Sequence, residues 1–150
     1  MVRLQDARAF PAAIDFVLAN RERAPRPASM IVHRVRMLTD PTLARSIKPL
    51  LSDWDADWRR AALSALRNMR TREAVPLFIA ALSDGDLENQ NISVLALAEI
   101  TGEHSEWATS WGRFQENPSY YVDKWRNWWE TEGKVLYGSA AEQSGGSEGQ

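Results

Sequence analysis

Shifting the sequence forward by 31 residues lays Leu51-Ser52-Asp53 on Leu82-Ser83-Asp84. The same shift sets Ala61, Leu63, Ala65, Leu66 and Met69 against Ile92, Val94, Ala96, Leu97 and Ile100. This internal repeat constrains the fold more than any other feature of the chain. A fixed period of roughly 20 to 50 residues marks supersecondary units that cannot bury their own apolar faces and must stack on neighbours. The expected class is therefore all-α, a short α-solenoid of about three antiparallel helix pairs followed by aromatic helices.

The helical spacing supports this along the chain. Phe10, Ile14, Val17 and Leu18 follow i, i+4, i+7, i+8, with Pro11 tolerated in the first turn. Residues 21–27 hold Pro25 and Pro27 and read as a loop, with a helix resuming near Pro27 or Ala28 and carrying Ile31, Val35 and Leu38. These two helices form an expected first pair over about 9–38. Asp40-Pro41 is a start signal, since the aspartate can cap free amides and the proline presets φ. It predicts a third helix over 41–52 and a second pair over 41–70. Asp55 is the expected cap of the fourth helix, on which Trp58, Ala62, Ala65, Leu66 and Met69 share one face while Arg60, Ser64 and Arg67 fall on the other. A third pair over 71–102 carries Val75, Phe78, Ile79 and Leu82, then a broader apolar surface through Ile100, with Gly102 suited to a left-handed cap.

The stretch Leu51-Ser52-Asp53-Trp54-Asp55-Ala56-Asp57-Trp58-Arg59-Arg60-Ala61-Ala62-Leu63-Ser64-Ala65-Leu66 resembles HEAT repeats, in particular those of the phycobilisome-lyase type. Their pattern is an apolar first helix, a Leu-x-Asp-x-Asp turn, and apolar-Arg-x-x-Ala-x-x-Ala-Leu on the second helix. Trp58 stands where a smaller apolar residue is usual, and the second copy has Gln90 where Arg59 stands. The resemblance implies an armadillo-like helical fold that serves as a scaffold for protein–protein interaction, with Asp53 and Arg59 structural and the arginine paired with turn carboxylates. It also raises two alternatives, a DNA-glycosylase-like nucleic-acid-binding domain and an accessory role in chromophore attachment.

Residues 103–130 hold Trp107, Trp111, Trp125, Trp128 and Trp129. Trp107, Trp111 and Phe114 sit at i, i+4, i+7, and after Asn117-Pro118-Ser119 so do Tyr121, Trp125 and Trp128, which predicts two amphipathic helices over about 105–132 that cap the array. Residues 138–150 lack an apolar period and are expected to form a disordered tail.

Residues 1–72 carry 14 Arg or Lys against 7 Asp or Glu, whereas residues 73–150 carry 4 against 13. Such a dipole can steer an acidic partner to the N-terminal half or let molecules associate head to tail. Absence of cysteine excludes disulfides and thiolate chemistry. His33 and His104 lack metal or triad spacing, and the glycines form no phosphate-cradling loop. Asn91-Ile92-Ser93 has the form of a glycosylation acceptor but falls on an expected helix. No apolar run reaches the ~20 residues of a membrane span, and Met1 to Asp6 do not have the layout of a signal peptide. The expectation is a cytoplasmic, non-enzymatic module with no cofactor and no metal, not associated with membrane. Its partner is another protein, an acidic one among the possibilities, with nucleic acid the less expected alternative. The expected partner-binding residues are Arg36, Arg60 and Arg67, which form one basic stripe, and Trp54, which stands off the apolar face in a turn.

Overall fold

A computed structural model of the chain describes residues 9–23 and 25–143, and all of the regular structure among them is helical. The chain divides into two compact units, residues 1–69 and 70–150.

The first unit begins with α1 (Phe10–Asn20) and α2 (Pro25–Arg36). α2 starts two residues earlier than expected, because prolines at the first and third helical positions fall where amides would have no intrahelical partner. Asp40 accepts from the Thr42 amide at 2.9 Å, as its position predicts. The single helix expected over 41–52 does not form. Instead 3-10 turns at Pro41–Leu43 and Lys48–Ser52 flank a four-residue α3 (Ala44–Ile47). Pro49 is the cause, since it has no amide and its ring clashes with the carbonyl of residue 45. The segment still buries Leu43, Ile47 and Leu50. α4 (Ala56–Met69) buries the anticipated face of Trp58, Ala62, Ala65, Leu66 and Met69, and Ala61 and Leu63 besides. Its alanines let α2 approach closely, and Val35 of α2 is fully enclosed.

In the second unit a 3-10 turn (Arg72–Ala74) leads into α5 (Val75–Ala81), which packs on α6 (Leu87–Thr101). Gly102 ends α6 at φ 70°, with its amide donating to the Ala98 carbonyl. A left-handed cap of this kind costs glycine nothing sterically. Asn91 and Ser93 are both buried on α6, so the glycosylation motif is closed to modification.

Trp107 does not share a helix with Trp111 and Phe114. It lies in a 3-10 turn, Ala108 is extended, and Ser110 caps a new helix, α7 (Trp111–Glu116), through the Arg113 amide. Side-chain capping offers the backbone an alternative to continuous helix, and here it prevails over the apolar spacing. Asn117 likewise caps α8 (Pro118–Trp128), whose Trp125 and Trp128 are buried, and α8 packs on α6.

A π-helical turn (Trp129–Gly133) joins α8 to α9 (Lys134–Gln143). The Thr131 hydroxyl donates to the carbonyls of Asn127 at 3.0 Å and Trp128 at 3.3 Å, one turn back. Helix thus continues beyond residue 138, where the tail was expected to begin. Tyr137 is buried and carries Arg72 over its ring at 4.4 Å, and Arg72 also donates to the Leu136 carbonyl at 3.3 Å. These contacts anchor α9 well beyond the last tryptophan; residues 144–150 of the expected tail lie outside the described residues.

Candidate partner-binding surface

The turn before α4 is built on aspartates. Asp53 Oδ1 accepts from the Asp55 amide at 2.8 Å, and Asp55 Oδ1 accepts from the Asp57 amide at 2.9 Å. The Asp55 carbonyl takes the first helical bond, from Arg59. The turn before α6 repeats this design: Asp84 Oδ1 accepts from the Asp86 amide at 2.9 Å, and Asp86 Oδ1 caps the Asn89 amide at 3.1 Å. Each such cap stabilises its helix by about 1 kcal/mol. These carboxylates therefore serve the backbone.

Arg59 folds back over the turn. Its Nη1 donates to two turn carbonyls, of Asp53 at 2.9 Å and Trp54 at 3.0 Å. Fixed backbone acceptors lie directly over the first turn of the helix, within reach of a long side chain folding back. One period later Gln90 Nε2 donates to the Asp84 carbonyl at 2.7 Å. The two residues differ in charge but strap the same carbonyl of the repeat.

Trp54 stands at this turn with 75 % of its surface exposed. Beneath it lies Arg21, which the sequence did not single out. Its guanidinium carbon sits 4.5 Å from the Trp54 ring centroid and 5.9 Å from that of Trp58. The same Nη1 meets both Asp53 oxygens, at 2.9 and 3.0 Å. Arg21 and Asp53 are 32 residues apart, close to one period, and that near-coincidence was the available signal. The ring is held on a cation whose charge is balanced by a carboxylate, a rigid aromatic platform.

The three expected arginines divide between the ends of α4. Arg60 is half-buried in the first turns, with Nη1 2.6 Å from Asp57 Oδ1. Arg67 lies seven residues on, about 10 Å along the same face. Arg36 ends α2, and its carbonyl accepts from Asn68 Nδ2 at 3.1 Å, so the last turns of α2 and α4 meet and bring Arg36 beside the Arg67 turn. Arg36 Nε is shielded from solvent and finds no acceptor among the described residues. Trp54 lies at the opposite end of α4, about 20 Å of helix away from the Arg36 end, so the four residues form two patches bridged by Arg60.

Residues 44–109 match the family model for HEAT repeats. Over those 66 residues the chain is similar to HEAT repeats. No curated protein and no solved structure gives a significant match. The HEAT match takes in Trp54, Arg60 and Arg67 and begins after Arg36. HEAT repeats typically mediate protein–protein interaction and are usually non-enzymatic. Among the described residues no cluster of three or more His, Cys, Asp or Glu could hold a metal ion, and no helix is long and apolar enough to cross a membrane. His104 stacks on Trp107 with ring centroids 3.8 Å apart and places Nδ1 3.3 Å from Glu106, a local contact within its turn.

Proposed function

We propose that this chain is a non-catalytic binding module. Arg36, Arg60 and Arg67 take acidic groups of a protein partner, and Trp54 anchors an apolar side chain at the other end of the same surface. The observation that carries the reading is Arg36: its Nε is withdrawn from water with its hydrogen unsatisfied, at the junction where a second arginine, one period later, lies close by. Leaving such a donor unpaired costs about 1–3 kcal/mol, and because an Nε closed to water is closed to a carboxylate as well, an arriving acidic group would be taken by the Nη atoms of Arg36. Planar guanidinium groups suit bidentate carboxylate recognition, and exposed tryptophan is the residue type most often found as an interface anchor.

The test is affinity capture from the source cells, with the wild type beside a variant carrying Arg36→Ala, Arg60→Ala, Arg67→Ala and Trp54→Ala. A control carries Arg23→Ala and Arg45→Ala. Partners retained by the control and lost by the fourfold variant support the surface. Partners retained by all three place the site elsewhere. Binding of duplex DNA that disappears in the fourfold variant, with a steep salt dependence, would assign the surface to nucleic acid instead.

A further inference from the structure

Along α8, Ser119, Val122, Asp123 and Arg126 recur at i, i+3, i+4 and i+7 and so share one line of the helix. They form one wall of a cleft of about 260 Å³ within the second unit. The facing wall is Leu82, Ser83 and Gln90, where α5 gives way to α6. Leu82 and Val122 are buried and contribute little open surface, so the cleft presents mainly polar groups.

Two opposite charges stand side by side in it. Arg126 Nη2 reaches the facing wall and donates to Ser83 Oγ at 2.9 Å, which fixes the guanidinium. Its Nη1 lies 3.9 Å from Asp123 Oδ1, beyond hydrogen-bond distance, so the two groups are neighbours without closing on each other. Gln90 uses Nε2 on the Asp84 carbonyl, which leaves its Oε1 as an acceptor on the cleft wall. Ser119 adds a hydroxyl that can donate or accept.

A ligand of a single charge, of either sign, would meet one opposite and one like charge here. A ligand with both charges on neighbouring atoms meets two opposite ones. In an α-amino acid the ammonium and the carboxylate flank one carbon, a separation similar to that between Asp123 and Arg126. We infer that this cleft takes a free α-amino acid with a small or polar side chain, its carboxylate on Arg126 and its ammonium on Asp123. Gln90 Oε1 and the Ser119 hydroxyl accept from the remaining ammonium hydrogens or bond the side chain. An apolar side chain would gain little, since the two apolar residues of the lining are already covered. The cleft is open and small, so binding belongs to the millimolar class, about 1–10 mM. None of Arg36, Trp54, Arg60 or Arg67 lines the cleft, so this inference and the proposed function stand or fall separately.

Titration of the full chain with L-serine to about 50 mM, followed by amide chemical shifts in NMR, tests it. Ethanolamine and 3-hydroxypropionate are the comparison probes, since each is serine without one of its two charges. Serine is expected to give saturable shifts in residues 82–90 and 118–126, and each comparison probe to bind at least about tenfold more weakly. Asp123→Asn and Arg126→Gln change exposed side chains of α8 and keep their hydrogen-bonding shape, and circular dichroism checks that both fold. Each should weaken serine binding by about tenfold or more. Absence of saturable shifts in the wild type overturns the inference. So does ethanolamine or 3-hydroxypropionate binding as tightly as serine, or either folded variant binding serine as the wild type does.

Discussion

Gly133→Ala sets helix propensity against packing at one atom. In an ordinary helix the change favours folding by about 1 kcal/mol. At Gly133 the added Cβ would lie 2.7 Å from Trp128 Cζ3 and 2.8 Å from Trp129 Cε3. Carbon pairs rest at about 3.5–4.0 Å, so something must move by nearly 1 Å. Trp128 has little room: it is buried, its ring lies 5.2 Å from that of Trp125 and 5.9 Å from that of Tyr137. Overpacking of this kind costs about 1–3 kcal/mol, and two ring atoms this close put Gly133→Ala at about 2–3 kcal/mol. The net expectation is a loss of about 1–2 kcal/mol, a fall in Tm of about 3–6 °C for a chain of this length. Gly112, with open space where its Cβ would go, is the control, and Gly112→Ala should be neutral or stabilising. Urea unfolding, monitored by tryptophan fluorescence and by circular dichroism, gives both numbers. Adding Trp128→Leu should remove most of the Gly133→Ala penalty as a coupling term. Gly133→Ala unfolding at the wild-type midpoint or above it would show that the ring yields, and would refute the argument.

Arg21→Ala removes the partner of a half-enclosed carboxylate whose side chain is 10 % exposed, while Asp53 keeps the Asp55 amide. A loss of about 1–3 kcal/mol in urea unfolding is expected, with a coupling to Asp53→Ala in a double-mutant cycle that is absent with Asp84→Ala. Gln90→Arg should keep the strap on the Asp84 carbonyl and change stability by less than about 0.5 kcal/mol, whereas Gln90→Leu, which cannot donate, should cost about 1 kcal/mol. The Thr42 hydroxyl, and then its amide, hold the Asp40 carboxyl below its ordinary value. A carboxylate lowered on folding stabilises above its unfolded pKa and loses that effect as pH falls through the folded one. Asp40→Asn should therefore be less stable than wild type at about pH 6, with the gap narrowing towards about pH 2.5; a gap that is constant with pH would refute the linkage.

What the sequence showed plainly was local chemistry repeated at a fixed interval. Asp40, Asp55 and Gly102 cap as their positions predict because capping depends on neighbours a few residues away. The misjudged elements are those where one residue outweighs a pattern. Pro49 breaks a helix that the apolar spacing supports, and Ser110 restarts one between Trp107 and Trp111. Of the surface, Trp54 was legible as exposed because it falls off the apolar stripe of α4. Its support by Arg21 was not, since a cation under a ring leaves no local pattern in the chain. Gln90 looked like a departure from the repeat because side-chain type was compared, whereas the structure shows that the shared element is an amide or guanidinium donor reaching one carbonyl.

The π-helical turn at Trp129–Gly133 has a consequence for how this part of the chain tolerates change in length. A wide turn of this kind accommodates one residue more than an α-helix needs, and the helix beyond it keeps the angular phase it would have had without the surplus. Tyr137 meets Arg72 and Trp128 in that phase. Removing Thr131, which is exposed, would let the turn close to ordinary α-helix with Tyr137 still facing its partners. Elsewhere in these helices a one-residue deletion rotates everything downstream by about 100° and turns the buried face outward. Here the reading frame of the packing survives the loss, so this turn can shed a residue where α6 or α4 could not.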